Sequence, residues 1–138
     1  MVSRVEATEA ASELLEALTV KHGPLMFHQS GGCCDGSSPM CFPIGEFKVG
    51  ANDVFLGRVG APQIPFYIGG AQFEYWKHTA LVIDVVPGRG SGFSVEAPEG
   101  VRFLTISRVF SDEEVAELES GGPVPRGPQI EGEPATSP

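Results

Sequence analysis

Gly23-Pro24-Leu25-Met26-Phe27-His28-Gln29 is where this chain changes its period. Upstream, Ala11, Leu14, Leu15 and Leu18 recur at helical spacing and share one face, while Glu6, Glu9, Glu13 and Glu16 lie largely elsewhere. Ser3 and Glu6 have capping-box spacing, so the pattern predicts an amphipathic helix over 3–22, stopped by Gly23 and Pro24. Downstream, over 25–110, the apolar residues come in short runs: Leu25–Gln29, Asp53–Val59, Ile64–Ile68, Leu81–Val86, Gly92–Glu96 and Val101–Ser107. Glycine and proline punctuate these runs, which therefore read as six strands. Pro65 suits an edge strand or a strand start. Gly70–Lys77 is open between a short helix and an irregular crossing. Ser111-Asp112-Glu113-Glu114 is a second capping box and opens a short helix over 111–119. The expectation is one mainly β (α+β) domain over 1–119, a β-sandwich or small barrel with a helix at each end. Residues 120–138, rich in Pro, Gly and Glu, are expected to be a disordered acidic tail.

The strand over Leu25–Gln29 runs into Ser30-Gly31-Gly32-Cys33-Cys34-Asp35-Gly36, and Cys41 follows after Pro39. All three cysteines of the chain are therefore in one glycine-rich stretch. Thiolates bind soft metals, and glycines let a loop bring several donors to one point. Vicinal cysteines are poorly placed to bridge each other. Cys33, Cys34 and Cys41 are accordingly candidate ligands for a metal ion (iron, zinc or copper) or an iron–sulfur cluster. His28 and Asp35 are supplementary candidates, because three thiolates fall one short of a tetrahedral site; His78, water or a partner subunit could equally supply the fourth ligand. A thiol-redox role, and plain packing of small residues in a turn, are the alternatives. No catalytic residue is assigned: the chain has no G-x-S-x-G elbow, so the serines and His28 do not form a hydrolase signature.

Other constellations have plainer readings. Phe73-Glu74-Tyr75-Trp76-Lys77-His78 suits core packing or a subunit contact, with Glu74 and His78 as a surface pair or as two groups facing one site. Asp84 suits a solvated position or a backbone partner. Pro87-Gly88-Arg89-Gly90-Ser91-Gly92 lacks the residues of a phosphate loop and reads as a hairpin connection.

The net charge of −9 is unevenly spread: residues 112–138 hold seven acidic side chains and one basic, while residues 23–111 are nearly neutral. No basic stripe is present, which argues against nucleic acid and against an anionic membrane surface. No apolar run reaches the roughly 20 residues that span a bilayer. Residues 1–6 lack the apolar core of a secretory signal, so a cytoplasmic protein is expected. Thiols stay reduced there, which favours metal or redox roles over structural disulfides.

From the cysteine loop onward, the order of signals over about 25–105 resembles the A-type iron–sulfur carriers (HesB-like fold). Ser30–Gly36 looks like their first cysteine loop, and the run from Pro65 to Gly100 is similar in layout to their second half. The carriers' later Cys-Gly-Cys has no counterpart after Cys41. Across almost the whole chain, a second resemblance is to the uncharacterised bacterial family of domain of unknown function 779. It is carried by Phe27–Ser37, Pro65-Phe66-Tyr67, Phe73–Thr79 and Val86–Gly90. That resemblance implies an accessory role beside aldehyde or alcohol dehydrogenases. The combined expectation is a metal- or iron–sulfur-binding accessory protein, more a binder than an enzyme, that forms a homo-oligomer. The alternatives are a metal-free assembly module for a dehydrogenase and a thiol-dependent redox or aldehyde-handling protein.

Overall fold

The computed structural model describes residues 3–29, 37–60, 63–88, 94–122 and 124–127. The elements run β1 (Val5–Ala7), α1 (Glu9–His22), β2 (Leu25–Gln29), β3 (Met40–Pro43), β4 (Val54–Val59), β5 (Ile64–Ile68), α2 (Gly70–Trp76), β6 (Thr79–Pro87), β7 (Val101–Val109) and α3 (Asp112–Ser120). They form a three-stranded sheet, β1-β6-β7, and a four-stranded sheet, β3-β2-β5-β4. Among the described residues the sheets do not close into a barrel, and the fold is mixed α+β with strands predominating.

The first helix begins later than its capping-box spacing implies. Val5, Glu6 and Ala7 pair in parallel with Leu81, Val82 and Ile83. Ser3 Oγ donates to the Val5 carbonyl instead of capping a helix. Thr8 is the true N-cap: its Oγ1 accepts from Ala11 N at 3.2 Å and donates to Asp84 Oδ1 at 2.8 Å. Burial of Val5 and a ladder on β6 outweigh the local helical preference of three residues. Asp84 also accepts from Val85 N, so it has a backbone partner, together with the cap of α1. Ala11, Leu15 and Leu18 are buried and Leu14 partly so, as their spacing predicts.

Phe27 joins the sheets: its ring lies 5.4 Å from Phe66 in its own sheet and meets Phe103 of the other edge-on at 5.0 Å. The buried face of α1 completes this core. On the other face of the four-stranded sheet, Met26 and Tyr67 pack with Val49 and with Phe42, Ile44, Phe47 and Phe55. Strands β2 and β5 are therefore buried on both faces along their whole length. Pro65 does not mark an edge, since β5 lies between β2 and β4; it occupies the strand's second position, ahead of the residues that pair with β2. In β4 the register shifts between Phe55 and Gly57, and Gly57 has φ +126°, a bulge that a side chain would oppose.

Three further differences bear on the site. Ser94, Val95 and Glu96 form a turn into a 3-10 segment at Ala97–Glu99 rather than a strand, and β6 and β7 flank this long hairpin connection. Strand β3 follows the cysteine stretch. The segment 124–127 is pinned to β4: Phe55 N donates to the Pro125 carbonyl and Gly127 N to that of Asp53. The rest of the expected tail, 128–138, lies outside the described residues. No described helix is long and apolar enough to cross a membrane.

Candidate functional site: the stem of the cysteine loop

Strand β2 ends at Gln29 and the chain is next described at Ser37. Both positions are held by a single residue of β7. Thr105 N donates to the Ser37 carbonyl at 2.7 Å, and Thr105 Oγ1 donates to Gln29 Oε1 at 2.8 Å. Thr105 is fully buried and Gln29 is 1% exposed, so the contact is shielded from water. The Gln29 carbonyl also accepts from Gly69 N, and Arg102 Nη1 donates to Ser38 Oγ at 2.8 Å. The two ends of the cysteine stretch are thereby tied to one strand.

Beneath this stem, Cys41 sits on the inner face of β3. Its cross-strand partner is Phe27, and it belongs to the core between the sheets. Cys41 N donates to Ser94 Oγ at 2.8 Å, and Val95 N donates back to the Cys41 carbonyl at 3.0 Å. The Ser94 hydroxyl donates to Glu96 Oε1, and Phe103 N donates to Glu96 Oε2 at 3.3 Å. A carboxylate only 1% exposed is thus supplied with donors, which its desolvation requires. Burial pushes the Cys41 thiol well above its ordinary range, and the nearby Glu96 charge pushes the same way. Cys41 is therefore held as a neutral thiol, the form least suited to metal binding or attack.

His28 is the next residue along β2, and alternation puts it on the opposite face. Its ring lies 4.5 Å from that of Phe47, and Nε2 is 3.1 Å from Asp53 Oδ2. Asp53 Oδ2 also accepts from Gly50 N at 2.7 Å, which closes the turn into β4.

Of the five predicted ligands, the structure thus describes two, and it does not bring them together. Cys41 faces the core between the sheets and His28 the outer aromatic cluster; the pleat of the sheet separates them. Cys33, Cys34 and Asp35 lie outside the described residues. Among the described residues no three His, Cys, Asp or Glu side chains converge as a metal site would need. Sequence reasoning missed Thr105, Ser94, Glu96 and Asp53. Thr105 and Ser94 have distant partners, 76 residues away at Gln29 and 53 at Cys41, which no local pattern encodes, whereas Glu96 and Asp53 also bond near neighbours, Ser94 and Gly50.

The described residues define a two-sheet α+β protein in which β7 holds Gln29 and Ser37, the residues on either side of the cysteine stretch. Residues 14–109 match the family model of domain of unknown function 779 (DUF779), and the chain belongs to that family. No curated protein and no solved structure matches it significantly.

Proposed function

We propose that this protein is a metal- or iron–sulfur-binding accessory protein whose ligands are the thiolates of Cys33 and Cys34, with Asp35 beside them in sequence. The observation that carries this reading is the double attachment of Gln29 and Ser37 to Thr105, which ties both ends of the glycine-rich stretch to a rigid strand. A binding loop needs such support to hold donors in place. Cys41 leaves the proposed ligand set, because a fully buried neutral thiol is a structural group, and so does His28, committed to Asp53 on the other face. Two thiolates leave a soft metal half-coordinated. A second copy of the chain would complete a tetrahedral set, in keeping with the expected homo-oligomer, or a client would do so during transfer. A transfer role rests on the sequence resemblance to the A-type carriers alone, and this chain lacks their later Cys-Gly-Cys. Action beside an aldehyde or alcohol dehydrogenase rests on the family resemblance.

The test is anaerobic purification followed by metal and acid-labile sulfide analysis. The Cys33→Ser and Cys34→Ser variants are expected to lose bound metal, and Cys41→Ser to keep it. Unchanged stoichiometry in the first two refutes the proposal.

A further inference from the structure

A cavity of about 410 Å³ lies away from the cysteine-loop stem, between α2, α3 and the residues Gly122, Val124 and Arg126. That volume is in the range of small-molecule sites. Its apolar wall is formed by Phe73, Phe110, Val115, Leu118 and Val124. Val115 and Leu118 lie one turn-step apart on α3 and present the helix's few hydrocarbon side chains to this space, in a helix otherwise rich in carboxylates.

Arg4 is the group that gives the cavity its chemistry. Its guanidinium is half-buried, lies 5.6 Å from the centre of the Phe73 ring and donates to the Lys77 carbonyl at a long 3.4 Å. No carboxylate lies within ion-pair distance of it among the described residues. Burial holds it below the usual arginine range, so the cation bears a desolvation cost that no anion among the described residues offsets. The other charges on the wall do not supply one. Glu74 is paired with Lys77 at 3.0 Å, and Glu119 is exposed near the end of α3. Arg126, with Nη1 donating to the Asn52 carbonyl, and His78 complete the polar side. The lining therefore has an excess of cations in a chain of net charge −9.

We infer that this cavity binds a small monocarboxylate with an apolar body, its carboxylate on Arg4 and its hydrocarbon against Phe73, Phe110, Leu118 and Val124. A guanidinium matches a carboxylate through paired donors, and one uncompensated positive charge matches a monoanion. The apolar wall would go unused by a bare inorganic anion.

The probes are sodium hexanoate, 1-hexanol and inorganic phosphate, titrated into the full chain and followed by methyl NMR of Val115, Leu118 and Val124. Hexanoate is expected to shift these methyls saturably, and 1-hexanol to bind about tenfold more weakly or worse. Arg4→Met should weaken hexanoate by a similar factor, to the level of the alcohol. Leu118→Trp, which fills the cavity and leaves Arg4 in place, should abolish the shifts and decides the matter should Arg4→Met fail to fold. Absence of saturation by about 10 mM, equal binding of alcohol and acid, or an equal response to phosphate overturns the inference.

Discussion

Replacing Thr105 by valine tests the stem without emptying the core. Valine keeps the β-branched shape and the backbone N–H that reaches Ser37, and removes only the hydroxyl that donates to Gln29 Oε1 at 2.8 Å. Both residues are buried, so water cannot replace the lost donor. Leaving a buried acceptor short of its partner costs about 1–3 kcal/mol. For 138 residues the unfolding entropy is about 0.29 kcal/mol/K, so a loss of about 2 kcal/mol lowers Tm by about 7 °C. Urea unfolding followed by circular dichroism measures the difference, and a cycle with Gln29→Leu isolates the pair. Thr105→Val and Gln29→Leu are each expected to destabilise, and the double variant to cost less than their sum by about 1 kcal/mol. A single variant within about 0.5 kcal/mol of the parent, or an additive cycle, refutes the claim that Thr105 ties the stem.

Cys41 should resist iodoacetamide in the native protein at pH 8 and react only on unfolding, because the thiolate is suppressed and access is blocked; peptide mass analysis decides, and reaction at the rate of a free thiol contradicts it. The Glu114 carboxyl should titrate at about 2 by NMR, held down first by the hydrogen bond from Arg108 and then by the Ser111 backbone N–H. Its folded pKa is depressed, so its contribution is complete above about 4.5 and fades as pH falls toward 2; Arg108→Gln should raise the pKa toward 4.5, and an unmoved value excludes the pairing. Gly70→Ala should destabilise by roughly 1–3 kcal/mol despite alanine's helical preference, because a Cβ there would sit 2.6 Å from the Asn52 carbonyl oxygen; a raised Tm contradicts this.

Local chemistry made much of this fold legible. The apolar stripe of α1, the change of period at Gly23-Pro24 and the Ser111–Glu114 box each determine structure within a few residues; β2 and α3 stand where their patterns placed them, and α1 keeps its predicted end but starts at Glu9 rather than Ser3. The hairpin expected at Pro87–Gly92 leads not into a strand at Gly92–Glu96 but, through a longer connection, into β7. What escaped depends on distant partners. Val5–Ala7 becomes a strand only because β6 is beside it, and Met40–Pro43 only because β2 offers an edge. Ser94 and Glu96 look like strand residues by alternation, yet they fold over Cys41 because a buried carboxylate needs the Ser94 hydroxyl and the Phe103 N–H. The site was legible to the same degree. Cysteine clustering is visible in one dimension, but the face each side chain takes is set by strand register, and register separates His28 from Cys41 across the sheet.

In the proposed function, sulfur from Cys33 and Cys34 holds a metal. X-ray absorption at the metal edge, on protein loaded without air, reads the donor atoms directly. Two or more sulfur scatterers, at about 2.3 Å for zinc, are predicted for the parent and for Cys41→Ser, with their loss in the Cys33→Ser, Cys34→Ser double variant. A shell of nitrogen and oxygen alone, or a sulfur shell that disappears only when Cys41 is replaced, contradicts the account.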